Sequence, residues 1–339
     1  MTTGGFKGAL LSTLVIVSLV ASITLLLSPS SVHAALTPHA PIYIDGNAGF
    51  TKPDPVNGGG SGTAGDPYII ENYDINAENA HGIEVRNTTA YFVIRNCYVH
   101  DGRNYGNEGI WLDNVRNGKI ENSTFENNDH AGIGFVDSDN NIIRTAFTKN
   151  NYEHGIILYD SENNIITNCV AENNIDKGIV LVRSQNNLIK NNISMNNWAG
   201  VEFNSSNNNV VENCVGGGNR GSGIFLGDSN NNLIFNNTVE NNNIGIGFVD
   251  SDNNIIKNSI TKNNYGHGIL LNDSENNIIT NGIAENNGDK GIVLVRSQNN
   301  LIKNYLAKNN FHGIFLESSS NNTVVENCVV GGNGGSGIF

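Results

Sequence analysis

Asp160 and Arg183 stand 23 residues apart, and Asp273 and Arg296 repeat the pair 113 residues further on. An acid and a guanidinium so placed can form an ion pair, or can act as a base beside a bound cation. The acids recur more widely than the bases. Asp137, Asp160, Asp228, Asp250 and Asp273 share one register, and Asp139, Glu162, Asp252 and Glu275 stand two residues on. Carboxylates gathered at a corner suit Ca2+, which makes Asp137, Asp139, Asp160 and Glu162 the candidate metal ligands. Ion pairs between successive repeats are the simpler account, because Arg183 and Arg296 occupy the acids' own register one repeat later. Catalytic sites are usually single, so groups that come in copies read first as structure.

His81, His154, His267 and His312 each precede a glycine, and His130 stands two residues before one. Only His130 and His154 fall in neighbouring repeats. All five read as corner residues facing solvent. The tripeptide GHG at 266–268 becomes EHG at 153–155 in its copy, and adjacent aspartates occur nowhere. The clustered carboxylates that a glycoside hydrolase needs are therefore not evident. Cys97, Cys169, Cys214 and Cys328 share one register in separated repeats. They are expected to point outward and to lie beyond the reach of a disulfide. Trp111, Phe225 and Phe315, with Asp113 and Tyr159, occupy outward positions of one strand type. With Asp160 and Arg183 they are the candidate ligand-binding residues, since aromatic rings with polar neighbours suit sugars. The alternative is a face covered by a loop or a partner chain.

The elements that must position these groups follow from the repeat. Gly-Ile or Gly-Val pairs recur every 22 to 24 residues from Gly109 to Gly337. One unit reads GIILYDSENNIITNCVAENNIDK (155–177). Ile156 and Leu158 alternate with neighbours of the opposite face, as do Ile166 and Asn168, and a period of two marks strands. Repeats of this length mean a solenoid. Each unit holds two or three short strands, and its apolar face is buried only when coils stack at about 4.8 Å. The sequence thus predicts an all-β, single-stranded parallel β-helix (β-solenoid) of about 11 coils of 22–24 residues.

Asn supplies 63 of the 339 residues. It tolerates left-handed backbone at tight corners. Pointing inward, its amide can bond to the same residue one coil above and below. Asn141, Asn164, Asn187, Asn209, Asn232, Asn254, Asn277 and Asn300 share one register and are expected to form such a ladder. The serine of each repeat, Ser161 for example, reads as a corner residue and not as a nucleophile. The sixteen residues DKGIVLVRSQNNLIKN occur at 176–191 and again at 289–304. Five coils were copied as a block, 132–244 onto 245–339. The final Gly337-Ile338-Phe339 opens a strand without the Lys, Pro or bulge devices that protect sheet edges. Further coils or self-association at that end are expected.

Residues 1–34 read as a secretory signal peptide, with an uncharged stretch at 9–27 and small residues before Ala35. The stretch is also nearly long enough to be an uncleaved anchor. Residues 35–59 read as an exported N-terminal segment, 60–81 as a capping coil and 82–339 as repeats. The formal net charge of −13 repels phosphate, so no nucleic-acid partner is expected.

The motif GI-x-L-x-x-S-x-N-N-x-I, with the segment GSGTAGDPYIIENYDI (60–75), resembles the right-handed parallel β-helix repeat proteins. Within them it is most similar to the NosD-like and "carbohydrate-binding and sugar hydrolysis" repeats. The resemblance spans about residues 41–339 and implies a right-handed coil and an extracellular, cell-surface or periplasmic-type location. Its motif is specific for fold and loose for activity. It implies a polysaccharide or cell-surface glycan as partner in a binding or structural role, with a polysaccharide lyase, epimerase or hydrolase as the alternative. The NosD name also implies copper. Copper takes His, Cys or Met, and no CxxC, HxH or Met-rich run is present; Met195 is the only methionine beyond the signal.

Overall fold

The computed structural model describes residues 36–51, 56–103, 106–319, 321 and 323–339. The expected signal peptide, or anchor, at 1–34 lies outside them. Thr37–Phe339 forms one compact unit. Within it, three parallel sheets of 12, 12 and 13 strands run side by side, each coil giving one strand to each sheet. The Gly-Ile strands form one sheet, from Ile42–Asp45 to His312–Glu317. A second runs from Tyr68–Glu71 to Val324–Glu326, and a third from Thr37–His39 to Val329–Gly331. This is a parallel β-helix, and the period-two reading of the repeats is what it rests on.

The stack begins earlier than the repeat motif does. Thr37–His39 pairs with Tyr73–Asn76, and Ile42–Asp45 with Ile83–Thr88. Residues 35–59 therefore hold the first rung of two sheets. They lack the Gly-Ile signature, but Ile42 and Ile44 alternate inward as any core strand does.

Register is strict. Ile133, Ile156, Ile179 and Val201 lie one above the other, with Phe135, Leu158, Leu181 and Phe203 beside them, all within the core. The glycine that opens each Gly-Ile strand has a steric cause. A Cβ at Gly132 would lie 2.9 Å from the Gly155 carbonyl oxygen one rung on and 3.0 Å from Asn151 Nδ2.

The corners are built from paired roles. In each Asn-Asn pair the first residue takes left-handed backbone (Asn140, Asn163 and Asn186 at φ 57–58°). The second points inward. Asn164 accepts the Asn141 N–H at 2.8 Å and donates to the Ser138 carbonyl at 2.9 Å, and Asn187 does the same for Asn164 and Ser161. Three more ladders run alongside. The repeat serines accept the N–H of the serine one rung earlier at about 3.0 Å, as between Ser138 and Ser161. Asn128, Asn151, Asn174 and Asn197 form a third ladder with side chain-to-side chain bonds of 2.9–3.1 Å. The fourth is mixed and contains the cysteines.

That fourth ladder corrects the outward placement of the thiols. Cys97, Cys169 and Cys214 are buried, and Cys328 is half-buried. Cys169 stacks on Asn192, which accepts its N–H at 2.8 Å, and Asn192 in turn stacks on Cys214. The residue after a left-handed corner turns inward here, so the cysteines share the register of Asn192 and Asn237. All four thiols are free. Burial pushes the Cys97 thiol up to about 11 and those of Cys169 and Cys214 up to about 12.

Candidate functional site

A line of ionisable side chains crosses the edge of the Gly-Ile sheet where its first strands begin. Glu108 is its centre. It sits one rung before Ala131 on the strand register, and its side chain is 3% exposed. One carboxylate oxygen lies 2.6 Å from His130 Nδ1 and the other 2.8 Å from His81 Nδ1. His130 Nε2 lies 3.1 Å from the Glu153 carboxylate, and the His130 and His154 rings meet edge to face at 5.8 Å. His154 Nδ1 lies 3.4 Å from the Lys177 N–H and 3.7 Å from Asp176 Oδ2. Lys177 Nζ is 2.8 Å from Asp176, with Glu202 3.8 Å away. Two neighbouring imidazoles are thereby set apart. The hydrogen bond to Glu108 holds His130 above the ordinary histidine range, whereas burial lowers His154 to about 4. At neutral pH the first carries charge more readily than the second.

Trp111 roofs this line. Its ring stacks on His81 at 5.6 Å and lies across Gly134, where a Cβ would come 2.9 Å from the indole and 3.2 Å from Glu108. Asp113 stands two residues on, with Arg86 3.7 Å away.

The other candidate residues fall into separate places. Arg183 grips Asp160 with two bonds of 2.8 and 2.6 Å, donates to the Tyr159 hydroxyl at 2.9 Å and lies 4.2 Å over that ring. Its copy Arg296 holds Asp273 at 2.7 and 2.5 Å. Asp139 accepts the Glu162 N–H and faces Arg116, while Asp137 and Asp160 occupy left-handed corners. Among the described residues, Asp137, Asp139, Asp160 and Glu162 do not gather as a metal-holding group. Phe225 is five rungs from Trp111, about 24 Å. Phe315 is four rungs further and stacks on Phe339 at 4.8 Å. The outward row is also less open than its residue types imply. Ile157, Val180 and Val293 are buried between their neighbours on the rungs either side.

Two features escape the sequence reading. His154 is no solvent corner, being 12% exposed, and Glu108, His81 and His130 form one bonded group. Glu108 lies in the insertion before Gly109, where the repeat consensus gives no register. The second feature is a ridge of exposed side chains beside this line. Tyr152, Ile175 and Trp198 are 48, 59 and 53% exposed on consecutive rungs, followed by Arg220, and Tyr265 at 79% stands two rungs further. Each follows an inward Asn of the third ladder. An aromatic recurring directly after Asn-Asn was the available signal.

The model of the family described as "Periplasmic copper-binding protein (NosD)" matches residues 60–244, 147–281 and 238–339. A mutant of the periplasmic alginate epimerase AlgG is similar in structure, with a TM-score of 0.66 at 14% identity over 87% of this chain and 79% of that one. The A-module of Azotobacter vinelandii mannuronan C-5 epimerase AlgE4 gives 0.57 at 15% over 94% and 92%. The catalytic domain of a GH87 α-1,3-glucanase mutant, solved with tetrasaccharides, gives 0.57 at 18% over 76% and 57%. At these identities the likeness carries the fold alone. No curated protein matches the chain. Copper, which the family description names, has its fit here in nitrogen and oxygen and not in sulfur. The cysteines are stacked singly in a ladder, whereas ligand atoms of His130, Glu153 and His154 lie within 4.8 Å of one another. With that family's repeats spanning 60–339, the chain belongs to the NosD family.

Proposed function

We propose that this chain is an exported protein that binds polysaccharide along the ridge Tyr152–Ile175–Trp198, beside the Glu108–His130–His154 line. The observation that carries the reading is the exposure of three large apolar side chains on consecutive rungs, next to polar groups held in fixed positions. Tyr152 and Trp198 are two rungs apart, about 10 Å, enough for two pyranose rings in line. An exposed apolar row of this kind is a costly surface for water alone. The likeness to proteins named for alginate and α-1,3-glucan supports a glycan as ligand. The net charge of −13 favours a neutral glycan over a polyuronate. Titration of the chain with glucan and alginate oligosaccharides tests this. Trp198→Ala or Tyr152→Ala is expected to weaken glucan binding by about tenfold, roughly 1.4 kcal/mol. Tyr265→Ala, on the part of the ridge without the Glu–His line, is expected to leave it unchanged. No binding, or equal loss in all three variants, overturns the reading. Export is tested by sequencing the N-terminus of the secreted chain, which is expected to begin at Ala35.

A second reading has its own observation. Among the described residues the Glu108–His130 pair occurs once in a chain that otherwise repeats, as a catalytic group would. A lyase, epimerase or hydrolase acting on the bound glycan would release unsaturated ends, epimerised residues or reducing ends in the same incubations.

A further inference from the structure

The geometry points to a single divalent transition-metal site formed by His130, Glu153 and His154, with Glu108 as the residue that positions His130. The inference stands apart from the glycan reading, since it uses no sugar contact.

The donor atoms of the three residues lie within 4.8 Å of one another. Bonds of about 2.0–2.2 Å place ligand atoms around zinc about 3.5 Å apart. The Glu153 side chain is 52% exposed, so it can close the remaining gap without disturbing the core. Two imidazoles and a carboxylate suit Zn2+ or Cu2+ and not Ca2+, which takes six to eight oxygens.

The independent observation is Glu108. Metal-bound histidines commonly donate their second ring N–H to a carboxylate, which fixes the tautomer and aims the other nitrogen. Glu108 lies 2.6 Å from His130 Nδ1 and leaves Nε2 directed at Glu153, 3.1 Å away. Its side chain is 3% exposed, and among the described residues its second oxygen finds no hydrogen-bond donor. His81 Nδ1 is 2.8 Å from that oxygen, yet it also faces the Glu108 N–H at 3.1 Å. A buried carboxylate held against an imidazole is a costly arrangement to keep for packing alone. On the far side, His154 Nδ1 faces the Lys177 N–H at 3.4 Å and Asp176 Oδ2 at 3.7 Å; metal on Nε2 requires the ring proton to move to Nδ1, beside Asp176.

The copied block supplies an internal control. There His267 and Asp289 keep the same relation at 3.6 Å, but Asn243 replaces His130 and Gly266 replaces Glu153. Two of the three ligands are missing, so the second copy cannot hold the ion.

Titration calorimetry of the untagged chain with Zn2+, Cu2+ and Ca2+ tests the inference, alongside electron paramagnetic resonance of the Cu2+ form. One Zn2+ or one Cu2+ per chain is expected, with nitrogen hyperfine structure from two imidazoles and no Ca2+ bound. His130→Asn with Glu153→Gly, which writes the second copy's residues into the first, abolishes the site. Glu108→Gln weakens it by about 10- to 100-fold. Glu153→Gln, at an exposed position, also loses binding and guards against a variant that fails to fold. The inference is overturned if the native chain binds neither ion tighter than millimolar. It is equally overturned if His130→Asn/Glu153→Gly binds as the native chain does, or if the spectrum shows fewer than two nitrogens.

Discussion

The two copies of the five-coil block differ in an instructive way. The rungs around His154 and His267 share their local bonding. Lys177 meets Asp176 at 2.8 Å and Lys290 meets Asp289 at 2.7 Å, while each histidine lies 3.4 Å from the following lysine's N–H. Yet around this shared frame, His130, Ala131 and Glu153 of the first copy stand against Asn243, Ile244 and Gly266 of the second, and Glu108 against Ser222. The change removes charge, and it reaches below the surface, because Glu108 is 3% exposed and Ser222 is buried in its place. Inward, the copies differ by a compensated exchange. Cys169 and Asn192 on successive rungs become Gly282 and Tyr305. The Tyr305 ring, 1% exposed, fills the space over Gly282 and reaches the Ser259 carbonyl at 3.4 Å. Divergence at this interior pair is thus coupled.

The sharpest break of that comparison removes a ladder rung. Asn187→Ala leaves the Asn164 N–H and the Ser161 carbonyl without partners inside the corner. A cost of about 3 kcal/mol in the denaturation midpoint is expected. Asn300→Ala strips the Asn277 N–H and the Ser274 carbonyl in the same way. Equal costs would show that the copies are one cooperative unit. A cost at Asn300 below half that at Asn187 would mean that the last coils open on their own, as quasi-one-dimensional repeats can.

The coupled exchange predicts the next effect. A Cβ at Gly282 would lie 2.5 Å from the Ser259 carbonyl oxygen and 2.7 Å from Tyr305 Cζ. Gly282→Cys alone is therefore expected to cost about 2 kcal/mol by overpacking. Adding Tyr305→Asn, which restores the first copy's pair, is expected to recover most of it. A double variant no better than the single one would show that the two positions are not coupled.

How much of this was legible in the sequence depends on what each residue answers to. The coil period and strand direction were, because Ile156, Leu158 and Ile166 must alternate to build a core whatever the rest of the chain does. The inward Asn164 and Asn187 stood out for a similar reason, since only corner backbone explains Asn at an otherwise apolar register. The inward turn of Cys169 was not, because it depends on the left-handed backbone of Asn168 just before it, which shifts the alternation by one. The Glu108 group was hidden for another cause. It joins residues from three coils through an insertion that carries no repeat signal. The ridge at Tyr152 and Trp198 sits at a corner, where alternation no longer marks the face.

The inward cysteines give a kinetic contrast between the copies. Cys214 and Cys328 occupy the same register, but Cys214 is buried and Cys328 half-buried on the last rung. With its thiol pushed up to about 12, Cys214 is about one part in ten thousand thiolate at pH 8. In the native chain a thiol reagent is expected to label Cys328 first, with Cys97, Cys169 and Cys214 reacting only on unfolding. The denatured, unreduced chain is expected to titrate four. The same shifts set an alkaline limit. The unfolded thiols lose their protons from about pH 9, while the buried ones hold theirs to about 12, so stability falls across that window as pH rises. Rapid labelling of Cys214 would put it outside the ladder.

The smallest expected effect is at the most regular surface feature. Arg183–Asp160 and Arg296–Asp273 are the same two-pronged pair in the two copies, both with exposed side chains. Solvent and salt screen such pairs, and the net gain is small even when the geometry is good. Arg183→Ala and Arg296→Ala are each expected to move the denaturation midpoint far less than Asn187→Ala does, and less still at high salt. The two differ in one contact. Arg183 lies over the Tyr159 ring, where Arg296 has only the Asn272 side chain. Any excess of the first variant's effect over the second therefore reports that stacking, and Tyr159→Phe, which keeps the ring and removes the hydroxyl, is expected to preserve most of it. If Arg183→Ala instead leaves stability intact but weakens glucan binding while Arg296→Ala does not, the pair around Tyr159 belongs to the ligand surface of the first copy. The divergence between the copies would then extend past the Glu–His line to a pair that their sequences share.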